Sequence, residues 1–230
     1  MIIIAKETGC RIHVVHLSSQ KGLELIRKVR KDGLNITTET CPHYLYFTQK
    51  DFENESIRNY LKTAPPVKLE HDRDALWEGL RDGTISFITT DHAGCDPEKE
   101  KVLDDFWEVY GGIPGVQHRV QFLFSEGFLK GKIDLETTVK MLAKGVSDVF
   151  HLKKKGRLET GYDADFTLID LYNSYKVKTF DMYSKGKYTP FDGITFDSVI
   201  DKVFLKGEML LDSGNLINTK LQGKLHTIIS

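Results

Sequence analysis

Two histidines three residues apart, His13 and His16, fall in a run rich in β-branched residues from Arg11 to Leu17. Side chains alternate across a strand, so residues three apart face opposite ways and only one of this pair can reach a common site. His16, nearer the end of the run, is the better-placed ligand, although a lone strand histidine can equally be packed and hydrogen-bonded. Asp91 and His92 close a second such run, Ile85 to Thr90. A carboxylate there can hold a metal or act as a general base, and it can also simply cap the next turn. In Glu39 to Leu45 (ETCPHYL) a proline precedes His43 and fixes a turn, aiming the imidazole at a pocket or over a rim. Ala64, Pro65 and Pro66 form a stiff segment able to present a backbone group to a ligand, or merely to connect.

The elements that must position these residues follow from periodicity. The strand at Arg11 to Leu17 ends at Ser18 and Ser19, which can cap a helix carrying Leu23, Ile26 and Val29 up to Gly33. A strand at Leu34 to Thr38, a weaker one at Leu61 to Thr63, a helix over Asp72 to Asp82 and a strand at Ile85 to Thr90 come next. Strands alternating with helices imply right-handed crossovers and a parallel sheet. Working residues in such sheets sit past the carboxyl ends of the strands, which puts His16, the segment after Thr38, and Asp91 with His92 on one rim. A glycine-rich loop (Trp107 to Gly115) leads into helical stretches at Val116 to Leu129 and Leu135 to Leu142. Past Lys155, short runs at Ala164 to Asp170, Val199 to Leu205 and Glu208 to Leu211 read as antiparallel strands between glycine and aspartate turns. The expected boundary lies near Gly156, dividing the chain into 1–155 and 156–230.

Composition removes several function classes. Among 230 residues, 32 Lys and Arg against 33 Asp and Glu give a net charge of −1, which leaves no basic excess to release counterions from a nucleic acid. The longest apolar stretch, Met1 to Ala5, is too short to span a bilayer or to serve as a signal peptide. Cys10, Cys41 and Cys95 are odd in number and widely spaced, so the expectation is a reduced, cytoplasmic setting without a disulfide framework. Dinucleotide, nucleotide-phosphate and nucleophile-elbow motifs do not occur.

Taken in order, VHLSS (Val15 to Ser19), ETCPHYL (Glu39 to Leu45), KTAPPVK (Lys62 to Lys68), TDHAGC (Thr90 to Cys95) and YGGIPGVQ (Tyr110 to Gln117) resemble the cyclic-amide hydrolases of the amidohydrolase superfamily. The tail segments Lys155 to Asp170 and Val199 to Gly214 resemble the same enzymes where they complete a small β-sandwich. The wording of ETCPHYL, DHAGC, GGIPGVQ and KYTPFDG (Lys187 to Gly193) is most similar to allantoinases, with hydantoinases and dihydroorotases as close relatives. The resemblance implies an α/β fold: a TIM (β/α)8 barrel, of which this chain carries the last three strands with their helices, followed by β-strands of the sandwich. It also implies one or two divalent metals, zinc first, and hydrolysis of a ring amide to a linear ureido acid.

On that mapping His16 corresponds to the metal-binding histidine of the sixth strand. Asp91 corresponds to the aspartate of the eighth, which binds metal and takes a proton from the attacking hydroxide. The backbone around Ala64 and at Gly112 and Gly115 corresponds to places that contact the ring, with His43 as a further substrate-side candidate. The resemblance also calls for a His-x-His pair, a bridging carboxylated lysine and one more histidine, none of which has a counterpart here. The expectation is therefore a carboxyl-terminal portion, inactive alone, that acts on a small cyclic ureide with a missing amino-terminal half or as a homo-oligomer. A non-catalytic scaffold that keeps the fold without the site is the rival reading.

Overall fold

The computed structural model describes residues 1–220 and Gly223, in two compact units. The first comprises residues 1–119 and 177–194, the second residues 120–176 and the described part of 195–230.

The first unit is built on a three-stranded parallel sheet in the order β1 (Ile12–Val14), β2 (Ile36–Thr40), β3 (Phe87–Ile88). Register runs Ile12 to Ile36 and His13 to Thr37 on one side, and Glu39 to Phe87 and Thr40 to Ile88 on the other. Helix α1 (Ile2–Thr8) precedes the sheet. Its crossovers are α2 (Gln20–Lys31) and, after α3 (Pro42–Tyr46) and α4 (Glu55–Arg58), α5 (Glu70–Arg81). A short α6 (Pro97–Glu100) follows β3.

Helix α2 forms where the sequence predicts it. Ser19 Oγ accepts from the Gly22 amide at 3.2 Å, Leu23, Ile26 and Val29 are buried, and Lys28, Arg30 and Lys31 offset the carboxyl-terminal dipole. Asp72 in the first turn of α5 accepts from its own Leu69 amide and, at 2.8 Å, from the Gln20 amide, which ties the two helix starts together. Gly79 lets the pair close up, since a Cβ there would lie 2.8 Å from Leu23 Cδ1 and 3.0 Å from Ile85 Cδ1.

The strands differ from expectation at their edges. Strand β1 stops at Val14 because the backbone turns into a positive-φ conformation at His16. Strand β2 lies two residues further on than the alternation suggested, at Ile36–Thr40. Leu61 to Thr63 is not a strand: the Lys62 carbonyl accepts from the Gly112 amide, and its ammonium is spent on the Phe106 and Trp107 carbonyls, so no ladder forms.

In the second unit, α7 (Arg119–Phe122) passes into a π-helical turn at Leu123–Leu129, and α8 (Leu135–Val139) into another at Lys140–Lys144 before α9 (Gly145–Phe150). A four-stranded antiparallel sheet has the order β4 (Phe166–Asp170), β7 (Val199–Leu205), β8 (Glu208–Asp212), β9 (Asn215–Leu216). Strands β5 (Tyr175–Lys176) and β6 (Thr195–Phe196) form a separate pair. Phe166 stacks on Phe204 at 4.4 Å between ring centroids, and Lys155 pairs with both Asp163 and Asp165 ahead of β4. Among the described residues no helix is long and apolar enough to cross a membrane.

Candidate functional site

Because the three strands run parallel, their carboxyl ends share one rim, and the chain leaves that rim through unusual backbone at both outer strands. His16 has φ 40° and Asp91 has φ 45°, the left-handed region that side chains other than glycine rarely occupy. Such strain persists only where the surroundings impose it, and it collects at functional sites. Here the surroundings are hydrogen bonds between strand ends. The Leu17 amide donates to the Glu39 carbonyl at 2.8 Å, Thr40 Oγ1 donates to the Leu17 carbonyl at 2.7 Å, and Thr38 Oγ1 donates to the Val14 carbonyl at 2.8 Å. The Thr89 amide donates to the Thr40 carbonyl at 2.9 Å.

The ambiguity between the two histidines resolves physically. His13 is fully engaged below the rim, with Nδ1 2.8 Å from Thr37 Oγ1, Nε2 3.0 Å from Glu39 Oε2 and its ring stacked on Phe87. His16, by contrast, has an enclosed Nδ1 with no hydrogen-bond partner. His43, opening α3 at the end of β2, is only 2% exposed, and its Nε2 is likewise enclosed and unpartnered. Burial, and then the neighbouring His16, push its pKa down to about 3, so the imidazole is neutral. Asp91 is exposed, and its charge reaches Cys41 and Tyr44, whose ionisation is pushed up first by burial.

The remaining predicted positions are near in sequence order but differ in role. Tyr44 Oη donates to the Pro65 carbonyl at 2.6 Å and so holds the Ala64–Pro65–Pro66 segment, which leaves Ala64 exposed. Gly112 is buried, with its amide given to Lys62 and its carbonyl to the Tyr188 hydroxyl at 2.8 Å. The Gly115 amide points at His92 Nδ1, 3.2 Å away. These two glycines therefore shape the loop, and their amides are already committed within the unit.

Two features escaped the sequence. Glu39 binds His13 and accepts from Thr89 Oγ1 at 2.7 Å, making a polar cluster under the rim. Alternation along β2 puts Thr37 and Glu39 on the same face, which was the available signal. The second is Lys101, a lysine only 2% exposed, and a cleft of about 650 Å3 opens between His92, Cys95, Asp96 and Lys185. No local signal marks Lys101, since PEKEK reads as a solvated charge run.

An imidazole nitrogen and a carboxylate on one rim are the donor types a zinc-like ion takes, and the orphaned His16 ring fits such a role. Among the described residues no group of three or more His, Cys, Asp or Glu is placed to hold a metal. His16 and Asp91 thus offer part of a coordination sphere.

Residues 3–210 match the profile of the amidohydrolase family. The chain is 38% identical over 209 residues to an allantoinase of Enterococcus faecalis, covering 91% of this chain and 45% of the relative. It is 34% identical over 224 residues to an allantoinase of Bacillus licheniformis, covering 97% and 49%. Among solved structures, an L-hydantoinase (dihydropyrimidinase) from Arthrobacter aurescens superposes with a TM-score of 0.89 at 31% identity, over 94% of this chain and 48% of that one. The chain spans about half the length of the curated relatives it matches.

Proposed function

The chain belongs to the amidohydrolase family, and from that premise we propose that it is the carboxyl-terminal portion of a metal-dependent cyclic amidohydrolase, allantoinase-like, opening a ring amide to a ureido acid. Residues 1–155 are then the last three strands of a (β/α)8 barrel with their helices, and 156–230 the closing strands of a β-sandwich. The observation that carries the reading is the pair His16 and Asp91, both in the left-handed backbone region at the ends of parallel strands.

In this reading His16 and Asp91 would hold the metal together with donors from outside the described residues. The metal when bound lowers the pKa of water and polarises the ring carbonyl. Asp91, exposed on the rim, takes the proton from the attacking water and delivers it to the leaving ring nitrogen. Neutral His43 and the backbone at Ala64 line the substrate side, and the close-packed loop at Gly112 and Gly115 borders it. Dihydroorotate and hydantoins are the alternative substrates, since one pocket side chain can change ring preference. A non-catalytic scaffold is favoured by one observation, that no group of three metal donors occurs among the described residues.

The test is metal content per chain after dialysis against zinc, manganese or cobalt, alongside assays with allantoin, dihydroorotate and hydantoin. Near-zero metal and no turnover by the chain alone, both restored when an amino-terminal half of an allantoinase is supplied and lost again in His16→Ala or Asp91→Ala, are expected. Reconstituted activity indifferent to both substitutions would overturn the assignment of the site.

A further inference from the structure

The two orphaned imidazole nitrogens of the rim belong to neighbouring side chains. Hydrogen bonds from the Leu17 amide to Glu39 and from Thr40 Oγ1 to Leu17 clamp the residue after His16 onto the end of β2, and His43 follows Thr40 by three residues. Each ring has one enclosed nitrogen without a partner, Nδ1 in His16 and Nε2 in His43. An enclosed, unpaired polar atom is unfavourable, so two in one neighbourhood carry a drive to satisfy each other. Their chemistry is complementary, because a neutral imidazole has one donor and one acceptor nitrogen.

We propose that His43 is a positioning residue for His16: its Nε2 accepts from the His16 Nδ1–H, which fixes the tautomer in which the His16 Nε2 lone pair is offered to the rim. No side-chain hydrogen bond to another residue holds either ring among the described residues. A metal-binding histidine needs such an acceptor behind it to set tautomer and ring angle, as strand-borne ligands in zinc sites generally have. The adjacent polar group that could compete, Glu39, is already engaged by His13 and Thr89. The inference rests on His16 serving as a metal ligand, but its core statement concerns a hydrogen bond in the metal-free chain.

The experiment is long-range 1H–15N correlation on the 15N-histidine-labelled chain, with signals assigned through His16→Ala and His43→Phe, followed by cobalt(II) titration. In the metal-free wild type, His16 is expected as the Nδ1–H tautomer and His43 with an unprotonated Nε2. His43→Phe, which keeps the ring but not the acceptor, should turn His16 into a tautomer mixture and, once an amino-terminal half of an allantoinase is supplied, weaken cobalt binding about 10- to 100-fold. His43→Gln, whose Oε1 can accept, should recover the His16 tautomer and much of the affinity. A protonated His43 Nε2, or a His16 tautomer unchanged in His43→Phe, overturns the proposal. If His43→Phe does not fold, or the chain alone takes up no cobalt, the wild-type tautomers decide it. Cobalt binding unaffected by His16→Ala would instead remove the metal-ligand reading and leave the tautomer result standing.

Discussion

Lys101 should make the first unit more stable as pH rises, against the usual alkaline trend. Its side chain is buried, and its ammonium donates to the Asn59 carbonyl at 3.0 Å and the Tyr110 carbonyl at 2.8 Å, 5.0 Å above the Tyr188 ring. Burial lowers its pKa from the ordinary 10.5 to about 8, opposed by Cys95 and Glu100 and assisted by Lys62. Between those two values the unfolded chain binds a proton that the folded one does not, so stability increases with pH across that window and levels off below it. The full span of about 2.5 units corresponds to roughly 3 kcal/mol, of which about 2 kcal/mol falls between about pH 7 and about pH 9.5.

Both tryptophans, Trp77 and Trp107, lie in the first unit, so fluorescence-detected urea unfolding reports on it. The quantity to measure is the stability of wild type minus that of Lys101→Met at each pH, which cancels every other titrating group to first order. It should rise by about 2 kcal/mol from neutral to alkaline conditions. A difference that stays flat or falls would refute the reasoning, because it would mean that Lys101 keeps an ordinary pKa in the folded chain.

Gly112→Ala should destabilise by about 1–3 kcal/mol, because the new Cβ would stand 2.7 Å from Ala93 Cβ and 2.9 Å from the Ala93 carbonyl. Gly111→Ala, with nothing within 4 Å, is the near-neutral control in the same thermal melts. Trp77→Phe strips the 2.9 Å bond from Nε1 to the Leu45 carbonyl and should cost about 1–3 kcal/mol, read by circular dichroism in urea. Asp72→Ala removes the acceptor that joins the starts of α2 and α5, and a loss of about 1–2 kcal/mol with faster amide exchange at Gln20 is expected.

Much of this protein was legible in its residues. Local signals suffice for α2, where the Ser19 cap, the apolar spacing and Gly33 all agree, and for β7, whose range Val199–Leu205 matches the apolar run. The rim position of His16 and Asp91 was legible too, because both follow strand-like runs and parallel strands share a rim. The tertiary structure decided what depends on distant partners. Only the hydrogen bonds to Thr37 and Glu39 take His13 out of contention and leave His16 with an orphaned nitrogen. Only packing turns Lys101, in a segment that reads as solvated, into a buried lysine held by carbonyls from residues 59 and 110. Sequence patterns record what each residue prefers among its neighbours along the chain. Which unpaired group meets which is settled by contacts between residues dozens of positions apart, and no local period encodes those.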